Sequence, residues 1–150
     1  MRPYVKALQA RKLTASAIDL PRSKAERAVP VFIAKVPAGA IAGGHSYGGR
    51  VSSMAAIEVQ YAALILLSYP LHRPGHPEDL RTEHWPKIEC PVLLLSGESD
   101  PFAQIELLRI SVRLLRRAQL ATFPGVGHGL LPVVDAAMDR VVEFVRGLRS

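Results

Sequence analysis

Gly43-Gly44-His45-Ser46-Tyr47-Gly48-Gly49 decides how this chain reads. Upstream, residues 38–42 (Ala-Gly-Ala-Ile-Ala) are small and apolar, as a short buried strand is, and downstream residues 50–58 read as a helix. Gly44-x-Ser46-x-Gly48 therefore falls where a strand turns sharply into a helix, the setting of a nucleophile elbow, with His45 as its intervening residue. A serine at such a bend is held in a strained backbone conformation. A side chain at 44 or 48 is expected to crowd the turn, so glycine suits both positions. The bland alternative is a Gly-rich turn that carries no chemistry.

Two later loops match it in position. The apolar run Cys90-Pro91-Val92-Leu93-Leu94-Leu95 leads into Ser96-Gly97-Glu98-Ser99-Asp100-Pro101, which puts Asp100 in a turn beyond a strand end. The run Ala118-Gln119-Leu120-Ala121-Thr122-Phe123 leads into Pro124-Gly125-Val126-Gly127-His128-Gly129, which puts His128 in a Gly-rich loop. In a parallel sheet these loops open on one edge, where ligands bind. The residue types suit acyl transfer. A serine hydroxyl is a weak nucleophile until a base takes its proton. Histidine, with an ordinary pKa of about 6.5, serves as base and then as acid. An aspartate fixes its tautomer and stabilises the imidazolium. The order Ser46, Asp100, His128 is that of the α/β-hydrolases. Asp100 also fits a plain turn or cap role before Pro101. Glu98 is a rival acid, and His128 also fits an ordinary loop histidine.

The chain resembles an α/β-hydrolase of the dienelactone-hydrolase-related, small-cap bacterial branch. The resemblance rests on Gly-Gly-His-Ser-Tyr-Gly-Gly-Arg at 43–50, Leu-Ser-Tyr-Pro-Leu-His at 67–72, Cys-Pro-Val-Leu-Leu-Leu-Ser-Gly-Glu-Ser-Asp at 90–100 and Pro-Gly-Val-Gly-His-Gly at 124–129. It runs from about residue 3 to the C-terminus, and residues 67–76 are its most branch-specific part. It implies a serine hydrolase with Ser46 as nucleophile, His128 as base and Asp100 as orienting acid, needing no cofactor. The Tyr47 N–H would donate to the oxyanion. Such proteins usually open with a strand and a Gly-rich loop that gives a second donor, whereas here Pro3–Arg11 reads as the helix after that loop. Losing one donor costs on the order of 3 kcal/mol of barrier. The resemblance also makes residues 14–20 a strand and leaves out the strand expected between it and 38–42. The sequence therefore reads as a partial α/β-hydrolase fold. A shortened reading frame or a domain completed by another chain would explain it, and self-association through an exposed sheet edge is expected. The rival functional reading is a non-catalytic binding module of the same fold.

The remaining pattern agrees with one α/β domain over residues 1–150. We expect helices at about 3–11, 23–34, 47–58, 102–116 and 131–148, and strands at 14–20, 38–42, 62–68, 91–96 and 118–123. That alternation predicts a mostly parallel sheet of about five strands with helices on both faces. In the last helix Val134, Met138, Val141, Val142, Val145 and Leu148 share one face, as core packing requires. Residues 69–88, broken by Pro70, Pro74, Pro77 and Pro86, form the one long irregular stretch. By resemblance it is a substrate-shaping lid, in which Tyr69, His72 and Trp85 are candidate substrate contacts. Its His72, His76, His84, Glu78, Asp79 and Glu83 match no zinc spacing, so no metal is expected.

At 150 residues and 49% hydrophobic content, the chain is long and apolar enough to bury a core. A net charge of +6 raises nucleic acid as a partner, but the cations are scattered apart from Arg113, Arg116 and Arg117. That trio reads as the C-terminal end of a helix, where cations face the dipole favourably. A small-molecule substrate is therefore expected, with no nucleic-acid partner. No run of about 18 apolar residues points to a membrane. The first twelve residues do not read as a signal peptide. The lone Cys90 reads as a buried structural thiol, and a cytoplasmic location is expected. Neither nucleotide-binding motif fits. A dinucleotide fingerprint fails at His45 or Ser46, and a P-loop fails at Arg50 and Val51.

Overall fold

The structure, a computed structural model, describes residues 1–148. Its elements are α1 (Arg2–Ala10), α2 (Ala25–Lys35), β1 (Ile41–His45), α3 (Tyr47–Ala55), β2 (Ala63–Leu67), β3 (Val92–Gly97), α4 (Ile105–Ser111), β4 (Ala118–Phe123) and α5 (Val134–Gly147). Short 3-10 turns occupy Trp85–Lys87, Val112–Leu114 and Leu131–Val133. The strands form one parallel sheet in the order β1-β2-β3-β4. Chain order and sheet order coincide, so every connection is a crossover between neighbours. No helix among the described residues is long and apolar enough to cross a membrane.

The two central strands explain the layers. In β2, Leu64 and Leu66 face one apolar cluster, while Ala63 and Leu67 face the other. Val92 and Leu94 of β3 divide from Leu93 and Leu95 in the same way. This period of two, apolar on both faces, is what a sheet covered on both sides needs. α2, α3 and α4 pack on the first face, and α1 and α5 on the second. The α5 stripe behaves as its spacing predicts. Met138 and Val141 are buried, with Val134, Val145 and Leu148 packed beside them.

Residues 14–20 are not a strand. Two of their carbonyls are met by side chains instead of a ladder, Gln9 Nε2 donating to Ala15 O and Lys35 Nζ to Asp19 O. Only Ile18 and Leu20 pack against the core, so the segment runs as an irregular strap. The sheet therefore has four strands rather than five, and β1 is an edge strand that pairs with β2. Ile41 on that edge is 43% exposed. The helix expected over 102–116 is also shorter. α4 ends at Ser111, the chain tightens through Val112–Leu114, and Arg116 and Arg117 lie beyond it. These two arginines turn to Glu89, Arg116 to its carboxylate at 3.5 Å and Arg117 to its carbonyl at 3.1 Å. They do not cap a helix.

Glycine at 44 is demanded by contact. A Cβ built there would lie 2.4 Å from the backbone carbon of Gly48, whereas a Cβ on Gly48 meets open space. The expectation that both positions are crowded holds for Gly44 alone, because Gly48 supplies the backbone that crowds it. Gly44→Ala is expected to destabilise the fold by about 3 kcal/mol in urea unfolding. Gly48→Ala, a helical site with room, is expected to be neutral or to stabilise by up to ~1 kcal/mol.

Candidate active site

Ser46 joins the end of β1 to the first turn of α3, with φ 53° and ψ −117°. Such a conformation costs a non-glycine residue on the order of 1–3 kcal/mol. It is held in place from both sides. The Ser46 N–H donates to Leu67 O at 2.8 Å, and the Ser46 carbonyl accepts from the Arg50 N–H at 3.1 Å. The bend lifts the hydroxyl toward the carboxyl ends of the strands. There Ser46 Oγ lies 2.7 Å from His128 Nε2.

His128 arrives from the far edge strand. Its loop folds back across the end of β3, where Val126 O accepts from the Ser99 N–H at 2.9 Å. This crossing requires the glycine at 97, since a Cβ there would lie 2.1 Å from Val126 O and 2.3 Å from Gly127 O. His128 Nδ1 then lies 2.8 Å from Asp100 Oδ2. The carboxylate can only accept, so Nδ1 carries the proton and Nε2 is left to accept from Ser46. The Asp100 side chain is 0% exposed and that of His128 is 27% exposed. The Phe102 ring covers the imidazole, with centroids 4.4 Å apart.

Asp100 also fills the plain turn role. Its Oδ1 accepts from the Phe102 N–H at 2.8 Å, so one carboxylate closes its own turn and orients the histidine. The rival acid faces elsewhere. Glu98 Oε2 accepts from Thr122 Oγ1 at 2.7 Å and lies 3.6 Å from Arg109.

Tyr47 is the first residue of α3, so its N–H has no acceptor within the helix. Its hydroxyl donates to Ser23 O at 2.7 Å and pins the strap before α2. His45 ends β1 and reaches the His128 carbonyl through Nε2 at 3.3 Å.

The three lid candidates lie below the surface. Tyr69 and Trp85 are 2% and 0% exposed and pack edge to face at 5.1 Å. The Tyr69 hydroxyl donates to Arg81 O at 2.7 Å. The proline-broken loop thus turns its aromatics into the core, and both anchor it there. His72 is 3% exposed and ties the 69–88 stretch to the loop after Asp100. Its N–H donates to Phe102 O at 3.0 Å, and its Nε2 accepts from the Gln104 N–H at 3.0 Å. His72→Leu removes that acceptor and strands a donor. We expect it to destabilise the fold by about 2 kcal/mol in urea unfolding.

A second Ser–His pair escaped the sequence reading because nothing local marks it. Ser53 Oγ lies 2.8 Å from His84 Nε2 and donates to Arg50 O at 2.7 Å. Burial pushes the His84 imidazole below its ordinary value, so it stays neutral and donates. Ser53 is 0% exposed, out of reach of a substrate. The Cys90 thiol is buried, and burial pushes it up, which suits an inert structural role. Among the described residues, no group of three or more His, Cys, Asp or Glu side chains is placed to hold a metal.

A family model described as an alpha/beta hydrolase domain matches residues 5–143. Acyl-protein thioesterase 1 of Gibberella zeae is 28% identical over 123 residues, which cover 74% of this chain. The chain spans about half of that protein's length, 48%. Among solved structures, the monoacylglycerol lipase of Paleococcus ferrophilus matches with a TM-score of 0.81 at 15% identity, over 97% of this chain and 88% of that one. A thermophilic esterase from Thermogutta terrifontis gives 0.67 at 18% identity, over 99% and 86%. At these identities the likeness is one of fold. The family match covers the elbow and both loops that meet it, and the chain belongs to the α/β-hydrolase family.

Proposed function

We propose that this chain is a serine hydrolase acting on an ester-like or otherwise activated carbonyl of a small molecule. The observation that carries the reading is the unbroken line from Ser46 Oγ through His128 to the buried Asp100, with links of 2.7 and 2.8 Å. Ser46 attacks the carbonyl carbon while His128 Nε2 takes its proton. The resulting imidazolium is stabilised by Asp100. The Tyr47 N–H faces the developing oxyanion. His128 then gives its proton to the leaving group, and an acyl-Ser46 remains. Water, activated by the same imidazole, releases the acid and restores the serine. The scheme needs no cofactor. The activities for which the similar proteins are named, a thioesterase, a lipase and an esterase, support a carboxylic ester or thioester as substrate class. Residues 67–76 favour the dienelactone-hydrolase-related, small-cap branch, and a cytoplasmic setting fits the buried thiol.

A fluorophosphonate probe with mass-spectrometric mapping tests the reading. The expected adduct is on Ser46, not on the buried Ser53 or Ser68. Folded protein that takes no adduct would replace the hydrolase by a binding module of the same fold.

A further inference from the structure

The loop that carries His128 has little stiffness of its own. Pro124-Gly125-Val126-Gly127-His128-Gly129 contains three glycines, Gly125 at φ 72°, and Gly127 and Gly129 with no atom within 4 Å of a built Cβ. Yet its imidazole must meet Ser46 and Asp100 together, and a misplacement of about 1 Å costs roughly 100-fold in rate. Something outside the loop has to hold it.

Two side chains do so, and they hold each other. The Tyr4 hydroxyl, on a side chain 4% exposed, accepts from the Leu130 N–H at 3.0 Å. His45 Nε2 lies 3.3 Å from the His128 carbonyl, which only accepts, so Nε2 carries the proton and donates. Burial keeps this imidazole neutral. The two rings stack with centroids 5.4 Å apart and planes inclined by 29°. One stacked pair thus grips the base loop at residue 128 and again at residue 130. His45 is also the residue before Ser46, so the strand end that presents the nucleophile clamps the base as well. Tyr4 brings in α1, which packs against α5 on the second face.

We propose that Tyr4 and His45 are positioning residues that set the base loop so that His128 meets Ser46 and Asp100 at once. The proposal rests on the serine-hydrolase reading above, and its test separates the two.

Tyr4→Phe keeps the ring and loses the hydroxyl. His45→Leu loses the donor, and His45→Gln offers an amide N–H at the reach of Nε2. Four quantities are measured: the rate of fluorophosphonate labelling at Ser46, the kcat and the KM on an aryl ester, and the low-field proton resonance of His128 Nδ1–H. Tyr4→Phe and His45→Leu are expected to slow labelling and kcat roughly ten-fold. KM should stay within about two-fold, since the change falls on the chemical step. The resonance should broaden or move. His45→Gln should recover most of the rate, which a role in bulk packing alone would not predict. Wild-type rates and an unmoved resonance in both variants would overturn the proposal. A wild-type chain that takes no probe sinks the hydrolase reading separately. The resonance then decides the positioning role, supported if present in wild type and lost in Tyr4→Phe, overturned if it persists in that variant or is absent from wild type. Where Tyr4→Phe fails to fold, the His45 pair carries the same test.

Discussion

Ser46→Ala is expected to lower ester hydrolysis on the order of 10⁵-fold or more and to abolish fluorophosphonate labelling, with the fold unchanged. In the proposed reaction the hydroxyl oxygen bonds to the acyl group, so no neighbour replaces it. Ser53 and Ser68 are both 0% exposed. The backbone strain at φ 53° belongs to the turn rather than to the hydroxyl, so alanine inherits it. Glycine does not. Ser46→Gly should therefore be equally inactive and on the order of 1 kcal/mol more stable than Ser46→Ala, a difference read by urea unfolding. Labelling that persists in Ser46→Ala would place the reactive group elsewhere.

Asp100→Asn is expected to lower kcat roughly 10⁴-fold with little loss of stability. The geometry fixes which way the new amide points. Its oxygen has one donor to satisfy, the Phe102 N–H now held by Oδ1 at 2.8 Å. The amide nitrogen must then occupy the Oδ2 position, 2.8 Å from His128 Nδ1. Two donors cannot share that contact, so the imidazole changes tautomer and carries its proton on Nε2. In that form it cannot accept from Ser46. The turn survives because its own hydrogen bond survives. A variant that keeps its circular dichroism and loses its turnover would match; one that keeps turnover near wild type would remove Asp100 from the chemistry.

The side chains that meet in the line from Ser46 through His128 to Asp100 were readable from sequence because each follows a strand. A glycine-flanked serine, an aspartate and a histidine at three strand ends must share one edge of a parallel sheet, whatever the helices do. Strand 118–123 was readable to the residue, and the α5 face was legible in its spacing. Residues 14–20 misled because Ala-Ser-Ala-Ile-Asp is as extended and half-apolar as a strand, and strand pairing is decided by neighbours. The burial of Tyr69 and Trp85 was illegible for a related reason. Aromatics in a proline-rich loop look like pocket lining, and only the fold shows them turned inward. The supports of the site were illegible altogether. Tyr4 and Leu130 are 126 positions apart, and His45 and His128 are 83 apart. No local pattern encodes a hydrogen bond across such a distance.

The order β1-β2-β3-β4 divides the site into parts of unequal durability. Asp100 follows an interior strand, paired on both sides, and His128 follows the edge strand β4 but its loop folds back over the end of β3, where Val126 O accepts from the Ser99 N–H. Ser46 hangs from β1, whose ladder is to β2 alone. Stability within a fold is uneven, and strands with one neighbour open before those with two. A brief opening of β1 would carry Ser46 away and take with it His45, one of the two side chains that hold the His128 loop, while Tyr4 keeps its grip at Leu130. Amide hydrogen exchange should therefore be faster at Ala42 and Gly44 than at Leu93 to Leu95. Heat or denaturant should silence the proposed hydrolysis at an earlier point than it unfolds the chain, and cooling should restore activity without the delay of refolding the whole chain.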